Sequence, residues 1–427
     1  MQLANVKRRA GYLLWMLGEQ LAGTGVTRFV LFPVAAYLVG KENFGVFVTA
    51  LSAVSILGIT PSMGLSTGLL RHMAEYPEAQ RASVCRTAMT MCHVAMLVII
   101  GVGLLSVAAV GLIGSTPMEV VVCLVPLAFS LYAENQLSLA LTDLRITRKF
   151  RQRTLWVSLQ AGLVLAGGLV GALAAGVIGL AWGFAIGNMV AYIAQRPLRS
   201  AWSKQPYDRE IARVLRAVWL HMTVAGMLAF SGPYLIRIIL SIWHPFTEVS
   251  YLYGATSVFS IFLVPVSCTG YVLLSRLAAY TSLSGLSRQA KLQCVVFIVG
   301  SVVGMPILMK VTGPVILRIM FPQFGPPSAE LLAIVVWAMP FAVLMFMTRP
   351  FMVKFAPIKV IPIVNGLTAA GYAVPALLLI PTLGARGAAW SFVIGSAVYA
   401  LAILAALLIV AKSKGRETAT NPAFSGG

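Results

Sequence analysis

Apolar residues in this chain gather in long blocks, each about the 20 residues that a helix needs to cross the hydrocarbon of a bilayer. Twelve blocks are predicted as helices: Gly11 to Val39, Phe44 to Leu70, Cys85 to Ile113, Met118 to Leu141, Leu155 to Ala175, Val177 to Ala194, Ala217 to Ile242, Val249 to Ser275, Leu292 to Met309, Leu331 to Met352, Val360 to Ile380 and Gly387 to Val410. Lys7, Arg8 and Arg9 precede the first block, which is much longer than a signal-peptide core and lacks a small-residue cleavage site, so it is read as a retained helix. No connection is long enough to fold a soluble domain. The pattern predicts an all-α, polytopic membrane protein, with a polar tail from Ala411 to Gly427 expected to be disordered.

The blocks repeat. Gly176-Val-Ile-Gly179-Leu-Ala181-Trp182-Gly-Phe184-Ala-Ile186-Gly187 matches Gly384-Ala-Arg-Gly387-Ala-Ala389-Trp390-Ser-Phe392-Val-Ile394-Gly395 at seven of twelve positions. The second and eighth helices open with Phe44-Gly45 and Tyr253-Gly254, carry Pro61 and Pro265, and end at Leu69-Leu70-Arg71 and Leu273-Leu274-Ser275-Arg276. The first and seventh share Gly23 with Gly232 and Arg28 with Arg237. Six helices per half predict two lobes, residues 1–203 and 204–427, around a central cavity, an arrangement in which substrates bind near the midplane and rocking of the lobes gives alternating access. The basic stretch from Arg196 to Arg216, with Pro197, Pro206 and Asp208, is the divider, a linker with an interfacial amphipathic segment.

Composition agrees: 59% of residues are hydrophobic and 10% charged, with mean hydropathy +0.89, far from the roughly 25% charged residues of soluble domains. If the N-terminus is cytoplasmic, 26 of the 32 Lys and Arg fall in cytoplasmic segments and four (Lys41, Lys310, Arg318, Arg386) on the opposite face. The net charge of +20 is then topogenic charge beside anionic membrane lipids, not a nucleic-acid surface. Five cysteines without metal spacing read as small apolar core residues.

The two remaining basic residues, Arg28 and Arg237, lie inside apolar blocks. An ionisable group there costs about 2.5–3.5 kcal/mol on insertion scales, and so marks a pathway or site by default. Glu19, nine residues before Arg28, is about 13.5 Å away along the axis and half a turn round, so the two cannot pair within one helix. The alternative for each arginine is a structural cation tied to carbonyls or snorkelling outwards. Glu19 and Glu134 are the acids placed well inside spans. A desolvated carboxyl can exchange a proton near neutral pH or hold sodium, which makes both ion-coupling candidates; the alternative is a packing carboxyl bonded to a neighbour or paired with an arginine. Gln20, Tyr132, Asn135, Gln136 and Asn188 are polar candidates for lining the same cavity. Pro33 and Pro233 lie within five residues of the arginines and are expected to shape the site.

The stretch Phe44-Gly45-Val-Phe through Gly64-Leu-Ser-Thr-Gly-Leu-Leu-Arg71-His-Met-Ala, the Gly-x-x-Gly-[Leu/Ala]-Ala starts of helices six and twelve, and Pro314-Val-Ile-Leu-Arg-Ile-Met-Phe-Pro-Gln-Phe324 between helices nine and ten resemble the Wzx-like polysaccharide flippases of the multidrug/oligosaccharidyl-lipid/polysaccharide (MOP) exporter superfamily. The resemblance implies a MATE-like fold and transport of polyprenyl-diphosphate-linked (undecaprenyl type) oligosaccharide from the cytoplasmic to the periplasmic leaflet of a bacterial inner membrane, with both termini cytoplasmic. H+ or Na+ is the expected coupling ion of the Glu19 and Glu134 candidates, and polysaccharide polymerase or assembly proteins are the expected partners. A diphosphate carries about two negative charges that hydrocarbon does not solvate, and forked guanidinium donors suit its oxygens. One arginine from each half would form a clamp.

Other classes fit less well. A membrane enzyme of polysaccharide assembly needs clustered acids or a large loop, whereas the chain has 12 Asp and Glu, no Asp-x-Asp and no His-Glu-x-x-His. No nucleotide-binding motif supports a primary pump, and no cofactor or metal site is expected. A multidrug or cation antiporter of the same superfamily is the main alternative; it favours intramembrane acids, whereas the duplicated residue here is basic.

Overall fold

Helix is the secondary structure of the described chain, as expected where no water is present to bond open backbone groups. The computed structural model describes residues 15, 17–73, 76–77, 80–112, 118–147, 149–277, 288–357 and 360–420. The first passage contains two π-helical stretches, Leu21–Gly25 and Thr27–Leu31, before α1 (Phe32–Val39), and bends by 40° between Leu17–Gly23 and Thr27–Val39. There follow α2 (Lys41–His72), α3 (Arg81–Leu112), α4 (Met118–Ile146), α5 (Phe150–Ala194), the short α6 (Arg196–Ser203), α7 (Arg209–Phe230) and α8 (Gly232–Trp243). The second half continues with α9 (Phe246–Leu277), α10 (Arg288–Met320), α11 (Gly325–Val335), α12 (Met339–Phe355) and α13 (Val360–Thr420).

Eight of the described helices are long and apolar enough to cross a membrane, nine with the bent first pair. Two of the eight are hairpins. The 45 residues of α5 would measure about 68 Å as a straight helix, over twice the hydrocarbon thickness. It folds back at Gly176 (φ 58°, ψ −134°), a backbone region that favours glycine. A Cβ at Gly171 would strike the Gly179 carbonyl, one at Gly167 the Gly183 carbonyl, and one at Gly187 the Leu163 carbonyl, so the two arms touch backbone to backbone. The 61-residue α13 folds back at Gly384 (φ 57°, ψ −135°), the residue that the repeat aligns with Gly176. Its arms also touch backbone to backbone near the turn, at Gly387 and Leu379, and further along the Tyr372 ring packs on Gly395 and Gly232, with its hydroxyl 3.1 Å from Ser396 Oγ. Reading each hairpin as two passages and adding α2 is consistent with the twelve expected.

Several boundaries move. The ninth helix does not stop at Met309 but runs to Met320, so most of the segment from Pro314 to Phe324 is helical and the turn shrinks to a 3-10 stretch, Pro322–Phe324. The linker is shorter than Arg196 to Arg216, because Asp208 caps α7 by accepting from the Glu210 and Ile211 amides, and the helix starts at Arg209. The expected amphipathic segment is α6, with Trp202 buried and Arg196 exposed. The tail is helical to Thr420 rather than disordered, continuing the apolar arm before it; residues 421–427, like Lys7, Arg8 and Arg9, lie outside the described residues. Pro33 follows the second π-helical stretch directly, at the start of α1, and Pro233 stands in the first turn of α8 after Ser231.

The halves meet along α2. Near its start, Gly45 lies against the Phe246 backbone, and Ser250 Oγ donates to the Lys41 carbonyl at 2.5 Å. Towards its other end Gly64 lies against Trp219 and Thr223 of α7. Glycine at both crossings lets the helices approach without side chains between them.

Candidate functional site

Arg28 stands on the second π-helical stretch and Arg237 on α8, each half-buried. Both turn to the same neighbour. Arg28 Nη1 donates to Ser260 Oγ at 3.3 Å, and Arg237 Nη2 donates to Thr256 Oγ1 at 3.2 Å. The two acceptors are four residues apart on α9, about 6 Å along one face. Each hydroxyl gives its own proton to a carbonyl one turn back, Thr256 to Leu252 at 2.9 Å and Ser260 to Thr256 at 2.8 Å, so lone pairs face the guanidiniums. The Arg237 guanidinium also lies 4.9 Å from the centre of the Tyr253 ring, a cation–π distance. The two arginines are within electrostatic reach of each other and of Tyr253. Among the described residues no carboxylate pairs with either.

Above this pair, towards the face poor in Lys and Arg, the halves are closed by aromatic rings. Phe32 and Phe44 from the first half meet Tyr253 edge-on at 5.7 and 5.5 Å, and Phe44 lies 6.2 Å from Phe324. Over them Lys41 Nζ donates to the Tyr251 hydroxyl at 3.2 Å.

The remaining candidates separate into three places. Glu19 is ion-paired with Arg153 of α5 at 2.7 Å, and Gln20 sits beside it at the start of the first π-helical stretch. Glu134 is elsewhere: its Oε1 accepts from Asn188 Nδ2 at 3.1 Å, the same amide meets Ser130 Oγ at 2.8 Å, and Asn188 Oδ1 accepts from Gln160 Nε2 at 2.9 Å. Tyr132 packs against α5 one turn further along, its ring edge-on to Tyr192 at 5.9 Å and its hydroxyl 2.7 Å from His93 Nδ1. Asn135 donates to the Leu131 carbonyl at 2.9 Å within its own helix. Gln136 is buried, with Nε2 unpaired. Of these candidates the structure brings Glu134 and Asn188 into contact, while Glu19, Tyr132 and Asn135 bond other partners. Sequence reasoning missed Tyr253, Thr256, Ser260, Gln160 and Arg153; the spacing of three and seven from Tyr253 to Thr256 and Ser260 marks one helix face and was the available signal.

No family model matches the chain, and no characterised protein matches its sequence. Among solved structures, the lipid II flippase MurJ in an inward closed conformation superposes with TM-score 0.71 at 15% identity, covering 93% of this chain and 87% of that one. An outward-facing multidrug resistance MATE transporter of the MOP superfamily gives 0.69 at 13% identity, covering 95% and 96%. The Vibrio cholerae MATE transporter VcmN gives 0.67 at 13% identity, covering 95% and 97%. The fold is thus the one shared by MurJ and the MATE transporters, over nearly the whole chain.

Proposed function

We propose that the protein is a flippase of the MOP type that moves polyprenyl-diphosphate-linked oligosaccharide repeat units across a bacterial inner membrane by alternating access. The observation that carries this reading is the convergence of Arg28 and Arg237, one from each half, on Ser260 and Thr256. Two cations held by neutral hydroxyls in a low-dielectric site repel one another, and a dianion relieves both charges at once. The fold supports transport by relation to both MurJ and the MATE transporters. The basic pair is what favours an anionic lipid-linked substrate over the cationic drugs of the alternative, antiporter reading. In this scheme the ring cluster at Phe44 and Tyr253 closes one face while the diphosphate binds from the other. Glu134, with Asn188, Ser130 and Gln160, is the proposed proton- or sodium-coupling group; both termini lie on the cytoplasmic side, and polymerase and assembly proteins would take the product.

The test is glycan export in cells and flipping in proteoliposomes, at equal protein level. Arg28→Ala and Arg237→Ala should each abolish transport, and the Lys variants should retain part of it, since lysine keeps the charge but not the fork. Full activity of both Ala variants would refute the clamp.

A further inference from the structure

On the Lys/Arg-rich face Arg213 stands in solvent at 78% side-chain exposure and Arg199 turns back onto the Tyr192 ring, whereas Arg153 is 15% exposed. It lies in the first turn of α5 and turns inwards to the first helix. Nη2 donates to Glu19 Oε1 at 2.7 Å, Nη1 donates to the Leu141 carbonyl at 3.0 Å, and Nε is buried with no partner. Glu19, 18% exposed, is also within electrostatic reach of Cys268 on α9. The ion pair therefore lies beside the seam between the first helix and α9, the two elements that meet again at Arg28 and Ser260. Glu19 precedes Arg28 by nine residues and Cys268 follows Ser260 by eight, so both elements run from the arginine pair towards the Lys/Arg-rich face.

We infer that Arg153 is a second anion site on this seam, where a phosphate headgroup binds before it reaches Arg28 and Arg237, and that Glu19 is the resident carboxylate it displaces. The inference deepens the proposed function and rests on its anionic, lipid-linked substrate. Carboxylate and phosphate oxygens meet a guanidinium in the same forked geometry, and a diphosphate brings more acceptor oxygens, enough to use the Nε that Glu19 leaves unpaired. The pair suits exchange because desolvation offsets much of its Coulomb attraction, while stripping Arg153 of any partner would be costly. Glu19 thus keeps Arg153 neutralised when the site is empty of substrate and competes with it otherwise.

The test is binding of geranylgeranyl diphosphate to the purified full chain in detergent, with inorganic pyrophosphate as a parallel probe that separates headgroup from lipid recognition. Glu19→Gln, Arg153→Gln and the double variant are compared in the native background and in Arg28→Ala/Arg237→Ala. Glu19→Gln should bind both probes about tenfold more tightly in either background, and Arg153→Gln should erase that gain. A Glu19→Gln variant that binds no more tightly, or a gain that survives Arg153→Gln, overturns the inference. Should Glu19→Gln not fold, Glu19→Asp, a competitor with shorter reach, must still tighten binding, and unchanged or weaker binding overturns it equally. Loss of all binding in Arg28→Ala/Arg237→Ala, with no Arg153-dependent remainder, removes the second site and leaves the arginine pair standing. An Arg153-dependent gain with no effect of the two Ala substitutions does the reverse.

Discussion

Replacing Arg28 with glutamine should stabilise the unliganded protein while destroying its anion site. Ser260 and Thr256 hold the two guanidiniums one helical turn apart on α9. Taking a charge separation of about 8 Å and an effective dielectric of about 20, their repulsion is about 2 kcal/mol. Glutamine keeps an N–H donor for Ser260 Oγ, so the neutral variant loses the repulsion and retains a hydrogen bond. Over a chain of this size, ~2 kcal/mol corresponds to a rise in Tm of about 2–4 °C. A dianionic ligand should do the same to the native protein by binding: at a hundredfold excess over Kd it adds about 2.7 kcal/mol. The assay is thermal unfolding in detergent, with and without geranylgeranyl diphosphate. The native chain should be stabilised by the ligand, and Arg28→Gln should start higher and respond little. An Arg28→Gln protein less stable than native, with the ligand shift intact, would show that Arg28 is a structural cation and would refute the argument.

Three further outcomes follow from the packing. Gly171→Val should destabilise the α5 hairpin by about 3 kcal/mol or more through collision with the Gly179 backbone, whereas Gly162→Ala, with open space around it, should be neutral or stabilising by up to about 1 kcal/mol; detergent unfolding curves compare them. Glu134→Gln should leave flipping that no longer responds to an imposed proton or sodium gradient in proteoliposomes, and unchanged coupling would remove Glu134 from that role. Oxidative cross-linking of a Lys41→Cys/Tyr251→Cys pair should block transport reversibly, because the contact at that face must open in each cycle; transport that continues through a complete cross-link would refute the gate.

The arginine pair was legible because lipid makes it so: a charge in an apolar block is costly wherever the helix packs, and a duplicated one is conspicuous against a short list of charged residues. The turns at Gly176 and Gly384 were legible both as a repeat and as the breaks between the fifth and sixth and the eleventh and twelfth predicted spans, though the pattern does not carry the backbone angles. The pairing of Arg153 with Glu19 was not legible, because counting basic residues by loop records how far along the chain a side chain lies, not which way it turns. Glu19 and Glu134 looked alike in sequence, each about ten residues from a span end, and the fold separated them into an Arg153 pair and an Asn188 cluster.

The sequence by itself determined the helices, the duplication and the presence of two intramembrane cations, because these depend on local hydropathy and on chain distance. Tertiary structure alone decided that α9 supplies the acceptors for both. Hydroxyls such as Thr256 and Ser260 commonly bond their own helix backbone and leave no mark in a hydropathy pattern, so their second partner is fixed only by the phase and packing of helices, 19 residues apart in the chain for Arg237 and Thr256 and 232 for Arg28 and Ser260.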